Sequence, residues 1–207
     1  MPQRIALILS VMLLFAAAVH AGTLVWNFDS DKVGGIAKGF SNESGEWKVM
    51  ADPTAPSRPH VLAQMSKSSG STFNLTLLLS DNYEDVDISV TMKAVAGRED
   101  RGCGLVWRAK DAKNHYIARY NPLEDNYRLY KVENGKREQL KSVDIKHSEG
   151  WLDMRVIMKG DRIECYYDGK KYMEATDATF KQAGKVGLWT KADAQSYFND
   201  FTIASDQ

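Results

Sequence analysis

Cysteine is scarce in this sequence: Cys103 and Cys165 are the only two in 207 residues. Neither sits in a Cys-x-x-Cys pair or a Cys/His cluster, which excludes a thiolate zinc site. Histidine is nearly as rare. His60, His115 and His147 are scattered, with no His-Glu-x-x-His spacing. There is no Gly-x-Ser-x-Gly elbow, and Gly34-Gly35 opens no helical pattern that would cradle a phosphate. Net charge is absent too. Lys plus Arg and Asp plus Glu stand at 27 each, so no long-range field draws the chain to nucleic acid or to an acidic membrane. Beyond residue 21 no apolar run approaches the ~20 residues of a spanning helix. No stretch there carries the 3.6-residue period of an amphipathic helix either.

What is present begins with Arg4, the apolar run Ile5 to Phe15, and the small residues Ala16 to Ala18. Val19-His20-Ala21 then supplies the small side chains that a signal peptidase reads. The expectation is a signal peptide over residues 1–21, one domain over 22–207, and a secreted or periplasmic protein with no membrane contact after cleavage. Export would permit a Cys103–Cys165 disulfide. The same positions also read as two small buried hydrophobes, the reading favoured because strand-interior pairs often fail the geometry of a bridge.

Short alternating segments punctuated by turn residues fill the rest, the pattern of a β-sandwich or barrel. Fourteen strands are expected, from Thr23–Phe28 to Ser196–Ile203. Asn134-Gly135 and Asp168-Gly169 suit the two positive φ angles of type I′ hairpins. Alternation then assigns faces. The simplest pairing buries Leu105, Ile117 and Leu129 together between the sheets. It leaves Arg108, Tyr116, Tyr120, Arg128 and Tyr130 on one outer surface, with Trp189 joining them from out of phase with Val186 and Leu188.

The run Arg101-Gly102-Cys103-Gly104-Leu105-Val106-Trp107-Arg108, followed by Asp111 and Asn114-His115-Tyr116, resembles a stretch of laminin G-like domains. Gly150-Trp151 to Arg155-Val156, with Gly160-Asp161-Arg162-Ile163 and Tyr167-Asp168-Gly169, resembles their later hairpin. Gly184 to Thr190 and Phe198-Asn199-Asp200-Phe201 resemble their closing strands. Together these motifs place the chain near exported bacterial proteins of the 3-keto-disaccharide hydrolase-like domain family. The resemblance implies an all-β fold: a two-sheet antiparallel jelly-roll sandwich, concanavalin A-like, with one concave sheet. Relatives of that fold bind sugars, proteins or lipids, and a few hydrolyse glycans, so fold alone does not settle function.

Three functions are weighed on the residues. The first is carbohydrate recognition on a concave sheet. Aromatic faces stack on the C–H faces of sugars and guanidinium groups bond hydroxyls, which makes Arg108, Tyr116, Tyr120, Arg128, Tyr130 and Trp189 the candidate ligand set, with Lys191 and Asp193 on its rim. The second is a glycan-active hydrolase, which needs two carboxylates across one bond. Glu84-Asp85-Val86-Asp87 lacks the second Glu of the laminarinase-type pattern, so Glu124 and Asp125, in the polar connection after Pro122, are the candidate acids. The third is a protein-interaction module of laminin G-like type. A structural calcium ion is a further expectation, with Asp29, Asp31 and Asp200 as oxygen ligands gathered by pairing of the terminal strands.

Overall fold

The computed structural model describes residues 22–146 and 149–204. The segment read as a signal peptide, residues 1–21, lies outside the described residues. The described residues form β1 (Thr23–Trp26), β2 (Trp47–Ala51), β3 (His60–Gln64), β4 (Phe73–Leu77), β5 (Val86–Ala96), β6 (Cys103–Asp111) and β7 (Asn114–Asn121). Then come β8 (Asn126–Glu133), β9 (Lys136–Asp144), β10 (Leu152–Lys159), β11 (Arg162–Tyr167), β12 (Lys170–Thr176), β13 (Lys185–Lys191) and β14 (Gln195–Ala204). All fourteen expected strands exist. The Asn134-Gly135 and Asp168-Gly169 turns take the paired positive φ angles of their hairpins.

The strands form two antiparallel sheets, a concanavalin A-like jelly-roll sandwich. One runs β12-β11-β10-β5-β14-β3-β2, with β1 also paired to β14; the other runs β4-β13-β6-β7-β8-β9. Between them lies a core that includes Ile88, Val90, Met92, Met154, Val156 and Phe198 from the first sheet. Leu105, Trp107, Tyr116, Tyr120, Tyr127 and Leu129 face it from the second. Cys103 and Cys165 are both buried and free, one on each sheet, and burial pushes each thiol up to about 12. They act as small core hydrophobes and are not bridged.

The face assignment of β7 needs correcting. Register pairs Ile117 with Val106 and Tyr130, and Ala118 with Leu105 and Leu129. Ile117 therefore belongs to the outer face, and Tyr116 and Tyr120 point inward. A one-residue change of phase exchanges every side chain between faces. Tyr116 stacks on Trp107 with ring centroids 5.6 Å apart. Its hydroxyl donates to Asp177 Oδ1 at 2.6 Å. Tyr120 packs on Tyr167 at 5.1 Å. Neither reaches the surface proposed for it.

Arg108 departs for a different reason. A bulge interrupts β6 beyond Trp107 and Arg108 takes a positive φ of 45°. Its side chain leaves the sheet row and is almost fully buried. Nε donates to Glu84 O at 2.6 Å, Nη1 to Phe180 O at 2.7 Å and Nη2 to Gly160 O at 2.6 Å. Arg108 ties three chain segments together at one end of the sandwich, so its guanidinium points away from the sheet face.

Candidate functional site

The outer face of the six-stranded sheet carries its own apolar cluster. Leu75, Leu77, Val106, Ile117, Tyr130 and Trp189 are all buried there, with Phe73 packed alongside. An outward face stays dry only if something covers it, and the cover is Arg137. This residue stands opposite Val132 on the edge strand β9. Its guanidinium carbon lies 4.4 Å from the Tyr130 ring, 5.9 Å from Trp189 and 5.6 Å from Phe73. Phe73 belongs to β4, the opposite edge of the sheet. Five strand spacings of about 4.8 Å would hold those edges roughly 24 Å apart in a flat sheet. Contact between them therefore requires the sheet to curl over this face into a trough, with Arg137 as its roof.

The trough floor is bare where β6 passes. Trp189, Gly104 and Arg119 lie in one cross-strand row, and a Cβ on Gly104 would meet Ala118 O at 2.1 Å. A Cβ on Gly102 would come within 2.9 Å of Arg119 Nε and 2.8 Å of Asp100 Oδ1. Gly102 thus leaves room for the fully buried Arg119 side chain, and Gly104 lets the β7 backbone approach closely.

Arg119 is the centre of a charged cluster at one end of the trough. Nη2 donates to Glu124 Oε1 at 2.7 Å, and Nη1 donates to Asn126 Oδ1 at 3.2 Å. Asp100 Oδ2 is 3.7 Å from Arg119 Nη2 and 3.8 Å from Lys191 Nζ. Arg128 Nη1 donates to Glu124 Oε2 at 2.9 Å and to the Tyr130 hydroxyl at 3.4 Å. Three N–H groups in this region have no hydrogen-bond partner among the described residues: Arg119 Nε, Arg137 Nη1 and Trp189 Nε1. Buried donors are rarely left unpaired, so three in one place mark a buried polar spot that an acceptor could complete once the Arg137 cover is displaced.

Of the expected ligand set, Arg128, Tyr130 and Trp189 are brought together here. Arg108, Tyr116 and Tyr120 are not. Lys191 lies beside Asp100, but the Asp193 carboxylate is taken up by the backbone N–H groups of Arg98, Glu99 and Asp100. Phe73, Arg119 and Arg137 were not singled out from the sequence. Gly102, immediately before β6, was the available signal for Arg119.

Glu124 accepts four hydrogen bonds, from Arg119, Asn121, Arg128 and Asn126. Burial alone would raise its pKa, but Asn126, Arg119 and Arg128 outweigh burial and bring it down to about 2. A carboxyl held that firmly as an anion is no proton donor for a glycosidic oxygen, and it serves to position two guanidinium groups. Asp125 occupies the turn with φ 48°, and its carbonyl accepts from Ile145 N–H at 2.9 Å. The aspartates considered for calcium stand apart: Asp29 accepts from His60 N–H, Asp31 from Lys38 N–H and Asp200 from the Ser57 hydroxyl. Among the described residues no group of three His, Cys, Asp or Glu is arranged to hold a metal ion, so the three do not form the expected site.

His115, two positions from Ile117 on the same face, is fully buried. Its Nδ1 lies 3.3 Å from Asp111 O, and Nε2 has no partner among the described residues. Burial lowers its pKa from 6.5 to about 4. Between those values the unfolded chain binds a proton that the folded one refuses. Stability is therefore complete above pH 6.5, falls as pH drops toward 4, and loses roughly 3 kcal/mol over that window. Melting temperature against pH should show this decline, and His115→Leu should flatten it.

A curled, polar-ended aromatic trough on one sheet of a concanavalin A-like sandwich defines the class. The chain belongs to the 3-keto-alpha-glucoside-1,2-lyase-like domain family, whose model matches residues 37–204. A levanase of Bacillus subtilis (strain 168) is 28% identical over 182 residues, which is 84% of this chain. The chain spans 25% of that relative's length. Among solved structures, the carbohydrate binding module CBM66 from Bacillus subtilis superposes with a TM-score of 0.67 at 23% identity, covering 81% of this chain and 96% of the module. A Bacillus subtilis protein with a galectin-like fold superposes with a TM-score of 0.61 at 13% identity, covering 81% of this chain and 89% of that one. These similarities carry the fold.

Proposed function

We propose that this is an exported carbohydrate-recognition domain that holds a glycan in the trough of its six-stranded sheet. The observation that carries the reading is the set of buried, unpartnered donors on Arg119, Arg137 and Trp189, set among the rings of Phe73, Tyr130 and Trp189 under an Arg137 guanidinium that a ligand would displace. Rings to stack on sugar C–H faces and fixed donors to meet ring and hydroxyl oxygens are the two needs of such a site. The names of the similar proteins, a levanase and a carbohydrate binding module, support it. So does the leader-like N-terminal sequence for export. The saturated Glu124 speaks against the hydrolytic alternative at these residues.

A glycan array probed with the unmodified protein should show retention of a defined glycan class. Phe73, at the accessible edge of the trough, is the residue to test. Phe73→Ala should weaken the retained glycan by roughly tenfold, the upper range of one aromatic contact, while the melting temperature falls little. Absence of any retained glycan, or unchanged affinity in Phe73→Ala, would sink the reading.

A further inference from the structure

The trough has an electrical character that a neutral sugar does not explain. Arg119, Arg128, Arg137 and Lys191 bring four cationic groups to it, and Asp100 and Glu124 bring two carboxylates. Both carboxylates are committed. Glu124 accepts four hydrogen bonds. Asp100 accepts from Gly102 N–H at 2.6 Å and from Asn121 at 3.2 Å, and faces two cations besides. Arg137 has no carboxylate within ion-pair distance among the described residues, and it is held by ring faces instead. The groups left unpaired are donors alone: Arg119 Nε, Arg137 Nη1 and Trp189 Nε1. A sugar hydroxyl brings a donor along with its acceptor, and that donor would meet cations and filled acceptors. A carboxylate brings acceptors only, carries the missing charge, and matches a guanidinium fork.

Resting on the glycan-binding reading of the same trough, we infer that its ligand is acidic: a uronic acid whose carboxylate is gripped between Arg119 and Arg137 while its ring lies against Tyr130 and Trp189. Arg137 is the adjustable half of the grip. It reaches in from an edge strand, and an entering carboxylate draws its guanidinium off the Tyr130 ring. Arg119 is the fixed half, locked by Glu124 and Asn126.

The test is calorimetric titration of the protein with oligogalacturonate and oligoglucuronate, their carboxyl-reduced neutral counterparts, levan, and a sulfated neutral galactan. One uronate should bind about tenfold or more tighter than its reduced counterpart at low salt, the difference between charge-assisted and neutral hydrogen bonds. The advantage should shrink as salt rises. Arg137→Gln should erase it, and Arg137→Lys, which keeps the charge without the fork, should retain part of it. Reduced sugars or levan binding as tightly as uronates would overturn the inference and leave the glycan-binding reading standing. Preference for the sulfated galactan would overturn the carboxylate assignment. Failure to bind any of these or any arrayed glycan would overturn both.

Discussion

Arg119→Ala is expected to cost about 3–5 kcal/mol of folding stability, the usual penalty for removing one partner of a buried ionic cluster, and to abolish glycan binding. The guanidinium is fully buried and serves Glu124, Asn126 and Asp100 at once. Without it Asp100, itself buried, has Lys191 at 3.8 Å as its remaining cationic partner among the described residues. Arg119→Lys should recover part of the stability, because one ammonium cannot reproduce two guanidinium bonds at fixed angles. Acid unfolding supplies an independent readout. The depressed pKa of Glu124 gives stability that is present above its ordinary value of 4.5 and disappears as pH falls through about 2. Once Arg119 is gone that pKa should rise toward 4.5, so the variant should lose the Glu124 contribution at milder acidity. A chemical denaturation series at pH 7 and pH 3 would check both effects. A loss under 1 kcal/mol at pH 7 would show that the cluster contributes little.

Trp189→Ala should be comparably severe, at about 3–5 kcal/mol, as for other buried large-to-small aromatic changes. For a domain of this length that lowers the melting temperature by roughly 10 °C. Trp189 sits on the outward face yet is fully buried, with its ring centroid 5.4 Å from Phe73 and under the Arg137 guanidinium. Removing it opens the trough floor where Gly104 already provides no side chain. A calorimetric melt that moved by only a degree or two would mean that the trough walls collapse to fill the gap.

The strands were legible because alternation and turn chemistry are local. Each of the fourteen segments carries its own two-residue period and its own Gly, Asn or Asp at the bend. The core was legible wherever an apolar residue alternates with a polar one, as in β5 and β10. In β7 both faces are buried, and the one charged residue of the Tyr116–Tyr120 run, Arg119, is itself buried, so polarity gives no guide to the phase. Its assignment slipped by one residue, taking Tyr116 and Tyr120 to the wrong side and hiding Arg119 in the process. Arg108 was misplaced by a bulge, which leaves little trace in the sequence. Arg137 escaped notice because its role depends on the curl of the whole sheet, a property of six strands together. Trp189 was placed correctly because it falls between Val186 and Leu188 on one side and a polar loop on the other.

The pairing of β1 with the end of β14 brings the two ends of the described fold together. Thr23 stands opposite Ala204, so the two points where the chain enters and leaves the sandwich are neighbours. Both lie on the eight-stranded sheet, and the trough opens on the far side of the other one. A tether fused at either of these strand ends would start from the sheet that does not carry the trough.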